Sequence, residues 1–164
     1  MEIGFRGFII FIVVVGGFIL AGVGVGVSHM AALGILKMRG AQVTIGERTF
    51  IRAEVVTSVA DRARGLSGRT GLPDGKGMLF VTEKPERQVF WMKSMRIPID
   101  IVWIRDGTVI GMQEKVPIPP LGTPDVSLKR YPSPGPVDRV LEVRSGFVED
   151  HRVKVGDAVS TSGL

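Results

Sequence analysis

The feature that most constrains this chain is a long apolar run near its amino terminus. Residues 8–27 ("FIIFIVVVGGFILAGVGVGV") carry no polar side chain, and no Asp, Glu, Lys or Arg occurs from Gly7 to Leu36. A helix of about 20 residues spans the hydrocarbon core of a bilayer, whereas the apolar core of a signal peptide usually has about 7–15 residues. The run therefore predicts one uncleaved transmembrane helix, with a cleaved signal peptide as the alternative.

This run also sets the predicted domain organisation. We assign an N-terminal membrane anchor to residues 1–36, a juxtamembrane link to 37–48, a β-rich domain to 49–160 and a tail to 161–164. Within the anchor, Gly22 and Gly26 have the GxxxG spacing that lets two membrane helices approach closely. This spacing would support a weak homodimer.

The charges that flank the apolar run bear on its orientation. Arg6 and the amino terminus are the basic groups before the run, whereas Lys37 and Arg39 follow it. A literal count of these charges would keep the C-terminal domain in the cytoplasm. A short amino terminus before a first apolar segment is, however, typical of an export signal. These two signals conflict, and the flanking residues alone leave the orientation open.

The composition excludes several kinds of chemistry. The chain has no cysteine, which removes disulfides, thiol nucleophiles and cysteine-based zinc sites. Its two histidines, His29 and His151, lie far apart in the sequence, so we predict no metal site and no cofactor. The net charge is +5, but basic residues alternate with acidic ones, as in "DRARGLSGR". This pattern lacks the basic stripe of a nucleic-acid-binding protein, and we predict no nucleic-acid partner.

Beyond the anchor, the hydrophobic pattern favours strands over helices. Thr49–Val56 alternates as a strand does, and Ser58 with Asp61 forms a capping-box pattern at the start of a short helix over 59–66. Asp106-Gly107 is a strong type I′ turn signal. Short strands with frequent turn signals predict a mostly β fold, a compact β-sandwich or barrel-like domain with one or two short helices.

Three further predictions concern how the strands are connected. Met78–Val81 is expected to be a short buried strand that ends in a turn at "TEKPER". Gln88–Met92 and Ile99–Ile104 are expected to pair as a hairpin. The segment from Pro117 to Pro136 holds seven of the ten prolines, and we expect it to be a loop because proline disfavours helices and central strands.

One acidic residue lies in an unusually apolar stretch, "FWMKSMRIPIDIVWI". Alternation places Asp100 on a strand face with Val102 and Ile104, opposite Ile99, and a buried carboxylate needs a partner. The hairpin would bring Lys93 close to it, which predicts a Lys93–Asp100 ion pair. The two tryptophans, Trp91 and Trp103, are expected in the core with Met78 and Phe80.

Several segments, taken in order, resemble a known family. "RARGLSGR", "GMLF", "FWMKSMRIPIDIVWI", "VLEV" and "VGDAV" are similar to the uncharacterised domain-of-unknown-function family 192 over residues 50–160. The positions that match the family pattern are Arg64, Gly65, Leu66, Gly77, Met78, Phe80, Trp91, Met92, Lys93, Pro98, Asp100, Glu142 and Gly156. The chain departs from that pattern at Ser94, where the family commonly has Asn, and at Ser67, where it commonly has Met. The resemblance implies a compact, mostly β domain behind a signal or anchor, and it implies no activity. Because of this resemblance we predict a single-pass membrane protein whose C-terminal domain is extracytoplasmic.

These observations favour a non-catalytic binding or accessory module for an envelope ligand or protein. The candidate ligand-binding residues are Arg64, Lys93, Asp100 and Glu142, and no catalytic residue is assigned. A hydrolase or lyase that uses Asp100 or Glu142 as acid or base is the alternative. The sequence offers that reaction no nucleophile–base pair. A purely structural subunit of a membrane complex is the third hypothesis.

Overall fold

The computed structural model describes residues 40–164. The predicted membrane span at residues 8–27, with Gly22 and Gly26, lies outside the described residues. Within 40–164, no helix has both the length and the apolar character needed to cross a bilayer.

Within residues 40–164, seven strands form a single curled sheet that makes a half-barrel, so the prediction of a mostly β domain with short helices is confirmed. The strands are β1 (Gly40–Ile45), β2 (Thr49–Val56), β3 (Lys76–Trp91), β4 (Ile99–Arg105), β5 (Thr108–Val116), β6 (Arg130–Arg144) and β7 (Val159–Ser162). The helices are α1 (Val59–Arg64) and α2 (Phe147–Asp150), and Asp125–Ser127 forms a 3-10 turn. The strand order is β5-β4-β6-β3-β2-β1-β7, with only β2 and β3 parallel.

The two edges of the sheet meet at one end of the half-barrel. Val109 N, in edge strand β5, donates a hydrogen bond to Asp157 O (2.9 Å), and Val159 N, in edge strand β7, donates to Gly107 O (2.7 Å). Thr108 and Ala158 form an isolated bridge at the same place. These bonds satisfy backbone groups that an open edge would leave exposed.

Local signals in the sequence predict the nearby structure well. β2 has the predicted bounds. The Ser58 side chain caps α1 by accepting a hydrogen bond from Asp61 N (3.1 Å). Asp106 and Gly107 have φ values of 49° and 70°, as the two central residues of a type I′ turn require, and they join β4 to β5.

The predicted connections around β3 are wrong. The "TEKPER" segment does not turn the chain, because β3 runs through it for 16 residues. The expected hairpin of Gln88–Met92 with Ile99–Ile104 is absent from the described sheet, because β6 lies between β3 and β4 and pairs with both. Both errors arise from a partner strand that comes some 50 residues later in the chain.

The proline-rich segment is only partly a loop. Strand β6 begins at Arg130 and includes Pro132, Pro134 and Pro136. Alternate residues of a strand point their N–H groups to the same side, so these three prolines remove donors on one side only. Strand β4 pairs with β6 only from Arg139 onward, and the proline-containing part therefore pairs with β3 alone.

The folded unit extends beyond the predicted link and tail boundaries. Residues 40–45, placed in the link from sequence, form β1, and its Ala41, Val43 and Ile45 are buried. Strand β1 pairs with β2 on one side and with β7 on the other, and β7 reaches Ser162.

Apolar residues form two separate clusters. The first cluster contains Ile51, Leu79, Val102, Ile104, Leu141 and Phe147 with nine further buried residues. The second contains Leu66, Met78, Phe80, Ile101, Trp103 and Val140 with eight others. Neighbouring residues of β4 and β6 alternate between the clusters, so the two clusters lie on opposite faces of the sheet.

Candidate functional site

The four candidate residues do not converge on one pocket. Arg64 is exposed on α1, and its Nη1 lies 3.9 Å from Asp61 Oδ1. Lys93 forms an exposed ion pair with Asp125, and its Nζ is 5.5 Å from the centre of the Trp91 ring. Asp100 and Glu142 are buried, at 0% and 5% exposure. Because Ile101 rather than Asp100 is in register with Glu142, the two carboxyl groups lie on opposite faces of the sheet.

The predicted Lys93–Asp100 ion pair is wrong. Asp100 is satisfied by backbone instead: Oδ1 accepts hydrogen bonds from Lys115 N (2.7 Å) and Gly146 N (3.2 Å), and Oδ2 accepts one from Val148 N (2.9 Å). Charge-assisted bonds of this kind stabilise a buried carboxylate without a cationic side chain. Asp100 therefore joins β4 to the bulge in β5 and to the start of α2, and both of its oxygens accept hydrogen bonds from the backbone.

Glu142 is the buried acidic group that retains an unused oxygen. Its Oε2 has no hydrogen-bond partner among residues 40–164. Burial raises the pKa of this carboxyl to about 8, and the positive charge of Arg69 partly offsets the shift. The group is thus a neutral carboxylic acid at pH 7, which avoids most of the cost of a buried charge.

Sequence reasoning missed the residues that surround Glu142. Glu54, Met78, Glu142 and Ile101 are successive register partners across β2, β3, β6 and β4. Arg69 lies over this row and binds Glu54 with both Nη atoms, Nη1 to Oε1 at 2.7 Å. The pairing with Glu54 raises the pKa of Arg69. The "RGLSGR" motif contains Arg69, but nothing local in the sequence connects it to Glu54.

The segment from Gly65 to Gly68, which follows α1, covers the row formed by Glu54, Met78, Glu142 and Ile101. At Gly65, φ is 50°, and a side chain there would lie 3.6 Å from the Phe80 ring and 3.9 Å from Glu142 Oε2. Gly68 N donates to Ser94 O (2.9 Å), and Ser67 Oγ donates to Lys93 O (2.8 Å). The segment thus seals Glu142 from solvent and is held by the turn after β3.

The turn at Ser94 leads to a stability prediction. Ser94 has φ of 56°, a left-handed conformation that Asn tolerates better than Ser. We expect Ser94→Asn, which restores the residue common in the family, to raise the free energy of unfolding by up to about 1 kcal/mol in urea denaturation. Ser160→Asn, on the exposed side of β7, is the control and should give no gain. Equal gains in both variants would show that the stabilisation does not come from the left-handed backbone conformation at residue 94.

An open cavity lies elsewhere on the domain, where β3 and β6 lose their regular pairing. The register of the two strands shifts between Val81 and Glu86 and again between Arg87 and Val89. Beside these shifts the structure has a cavity of about 310 Å³, bounded on one side by Arg62 and Ala63 of α1. Ligand cavities have volumes from about 300 Å³ upward, so this one can hold a small ligand.

The cavity has a largely apolar lining. Its apolar members are Ala63, Phe80, Val89, Phe90, Trp91, Val137 and Val140. The Phe80 and Phe90 rings meet edge to face at 4.9 Å, and the Phe90 and Trp103 rings meet at 5.5 Å. Trp103 is buried as predicted, but Trp91 is only half-buried and lines the cavity instead of lying in the core.

The charged members of the lining are mainly basic. They are Arg62, Arg130, Arg139 and Asp138. Asp138 is already paired, because its Oδ2 accepts a hydrogen bond from Arg139 Nη1 (3.0 Å). The Arg130 guanidinium lies 4.0 Å from the centre of the Trp91 ring. The cavity thus combines an apolar wall with an excess of positive charge.

A family model matches most of the folded chain. Residues 41–161 match domain-of-unknown-function family 192, described as "Uncharacterized ACR". This match agrees with the resemblance found in the sequence motifs. No curated protein matches the chain at a significant level.

Two solved structures are similar to this one. A protein of unknown function from Novosphingobium aromaticivorans is 29% identical, with a TM-score of 0.65, over 73% of this chain and 83% of that protein. A proposed transcription regulator from Sinorhizobium meliloti is 25% identical, with a TM-score of 0.69, over 78% of this chain and 98% of that protein. Both matches extend over most of the described domain.

Proposed function

The chain belongs to domain-of-unknown-function family 192, and from this premise we propose that it is a membrane-tethered, extracytoplasmic module that binds an envelope ligand without catalysing a reaction. The apolar run at residues 8–27 supports the tether, because it is long enough to cross a bilayer. The observation that carries the binding role is the cavity of about 310 Å³ between α1 and the irregular part of the β3–β6 pair.

A catalytic role for the buried acids has less support. The raised pKa of Glu142 is a feature of many general acids. However, the Glu142 side chain is sealed beneath the Gly65 segment and does not line the cavity. Asp100 has both oxygens occupied by backbone N–H groups. Transcription regulation, suggested for one relative, is not proposed because the sequence lacks a basic stripe.

Co-purification from membranes tests the proposal. We expect the full-length protein to stay in carbonate-washed membranes and to carry a bound small molecule that mass spectrometry detects after solvent extraction. Ala63→Trp places a large side chain at the exposed wall of the cavity and should remove that molecule. Ala60→Trp is the matched control, since Ala60 is exposed on the same helix but does not line the cavity.

Two results would contradict this proposal. Release of the protein by carbonate would exclude the tether. Identical small-molecule content in the parent, Ala60→Trp and Ala63→Trp proteins would exclude the cavity as the binding site. Membrane recovery and bound content are scored separately, so the tether and the binding role are tested independently.

A further inference from the structure

Building on the proposed binding function, we propose that the ligand is an anionic amphiphile, a carboxylate or phosphate group attached to an apolar chain. Arg62 and Arg130, two arginines without acidic partners among the described residues, line one apolar cavity. The guanidinium groups would bind the anionic head, and the aromatic wall would bury the chain.

The charge balance of the lining favours an anion. Asp138 is the acidic member, and it is held by Arg139 Nη1 and by the backbone N–H of Asp106 (3.1 Å). Within residues 40–164, no carboxylate lies within ion-pair distance of Arg62 or Arg130. Neither arginine therefore has an acidic partner within ion-pair distance in the described domain, which favours an anionic over a cationic ligand.

The two guanidinium groups are also held in position. Arg62 donates from Nε (3.2 Å) and Nη2 (2.8 Å) to Thr57 O, which uses two of its five N–H groups. Arg130 lies over the Trp91 ring at 4.0 Å. A stacked guanidinium keeps its in-plane N–H groups directed outward, where they can bind a carboxylate or phosphate in bidentate fashion.

The apolar wall argues against a small inorganic anion. Phe90 and Trp91 line the cavity and are only half-buried, and Val89 lines it and is exposed. A bare phosphate would leave these groups in contact with water, whereas an attached hydrocarbon chain would displace that water and gain free energy from burial. The basic part and the apolar part of the lining are both occupied only when the anionic head and the hydrocarbon chain belong to one molecule.

Three eight-carbon probes separate these contributions: octanoate, octyl phosphate and octan-1-ol. The full-length protein is reconstituted in zwitterionic lipid nanodiscs, and empty nanodiscs provide the blank. Binding is followed by the fluorescence of the two tryptophans, because Trp91 lines the cavity and Trp103 contacts Phe90. We expect at least one of the anionic probes to bind about tenfold more tightly than octan-1-ol, as a charge-assisted hydrogen bond would give.

Paired variants identify the source of that preference. In the double variant Arg62→Gln/Arg130→Gln the anionic preference should fall to below about twofold, since the charge-assisted bonds are lost. The matched double variant Arg48→Gln/Arg87→Gln removes an equal charge from exposed positions in the β1–β2 turn and on β3, outside the lining, and should keep the preference. Tighter binding of octanoate would identify a free carboxylic acid as the ligand type, and tighter binding of octyl phosphate would identify a phosphate headgroup.

Other outcomes would overturn the inference. Equal binding of all three probes, abolished by Ala63→Trp, would exclude an anionic ligand and leave the binding function intact. An anionic preference that survives in the double variant would exclude the two arginines as its cause. No binding of any probe would exclude this ligand class, and the co-purification experiment would then decide the binding function separately.

Discussion

Asp100→Asn is expected to lower the free energy of unfolding by about 2–4 kcal/mol, and Lys93→Met by less than about 1 kcal/mol. The amide can keep the oxygen that faces Lys115 N and Gly146 N, but its NH₂ group would then oppose Val148 N, a buried donor. Lys93 loses an exposed ion pair with Asp125 and a cation–π contact with the half-buried Trp91 ring. Urea denaturation of both single variants and the double variant measures these effects.

The double variant distinguishes this structure from the hairpin expected from sequence. The losses should add to within about 0.5 kcal/mol, because Asp100 and Lys93 share no partner. An interaction free energy of about 1–3 kcal/mol would instead indicate the direct ion pair. Asp125→Asn is a further control, since it removes the observed partner of Lys93 and should match Lys93→Met in size.

Glu142→Gln should change how stability depends on pH. In the folded state burial raises the pKa of Glu142 to about 8, from an ordinary value of 4.5. Between these values the folded protein holds a proton that the unfolded chain releases, so the stability from this group is full at low pH and is lost as pH rises. The loss is about 1.4 kcal/mol per pH unit, up to about 5 kcal/mol in total.

Glu142→Gln should therefore gain stability relative to the parent protein as pH increases. Glutamine is neutral throughout, so the difference in unfolding free energy between Glu142→Gln and the parent should grow in favour of the variant from pH 5 to pH 9. Glu83→Gln, at an exposed position of β3, is the matched control and should follow the parent at every pH. A difference that stays constant across this range would show that Glu142 is ionised in the folded protein.

Predictions that depend on neighbouring residues succeeded. The cap of α1 involves residues three apart, and the β4–β5 turn depends on the conformations that Asp106 and Gly107 prefer. Strands β3 and β6 were misjudged because their pairing joins residues about 40 to 66 positions apart. The expectation of a loop was also wrong at Pro132. This part of β6 pairs only with β3, so on its other side a missing proline N–H removes no hydrogen bond to a neighbouring strand of the described sheet.

The candidate site shows the same limit, because its contacts join segments that are far apart in the sequence. Hydrophobic alternation correctly indicated that Asp100 is buried, but it could not show that the partners would be three backbone N–H groups from β5 and the start of α2. The Glu54–Arg69 pair beside Glu142 depends on the register of three strands. The cavity arises from register shifts in the β3–β6 pair, and no short motif records such shifts.

The pairing of β1 with β7 has a consequence for biosynthesis. The first described strand binds the last one, Gln42 opposite Ser162 and Ile45 opposite Val159. The sheet therefore cannot be completed until β7 (Val159–Ser162) has emerged from the ribosome. Before that, β1 would present an unpaired edge, which is the kind of surface that leads partly folded chains to associate. Completion of the sheet must therefore follow synthesis of β7, and truncation before Val159 would leave this edge of β1 unpaired.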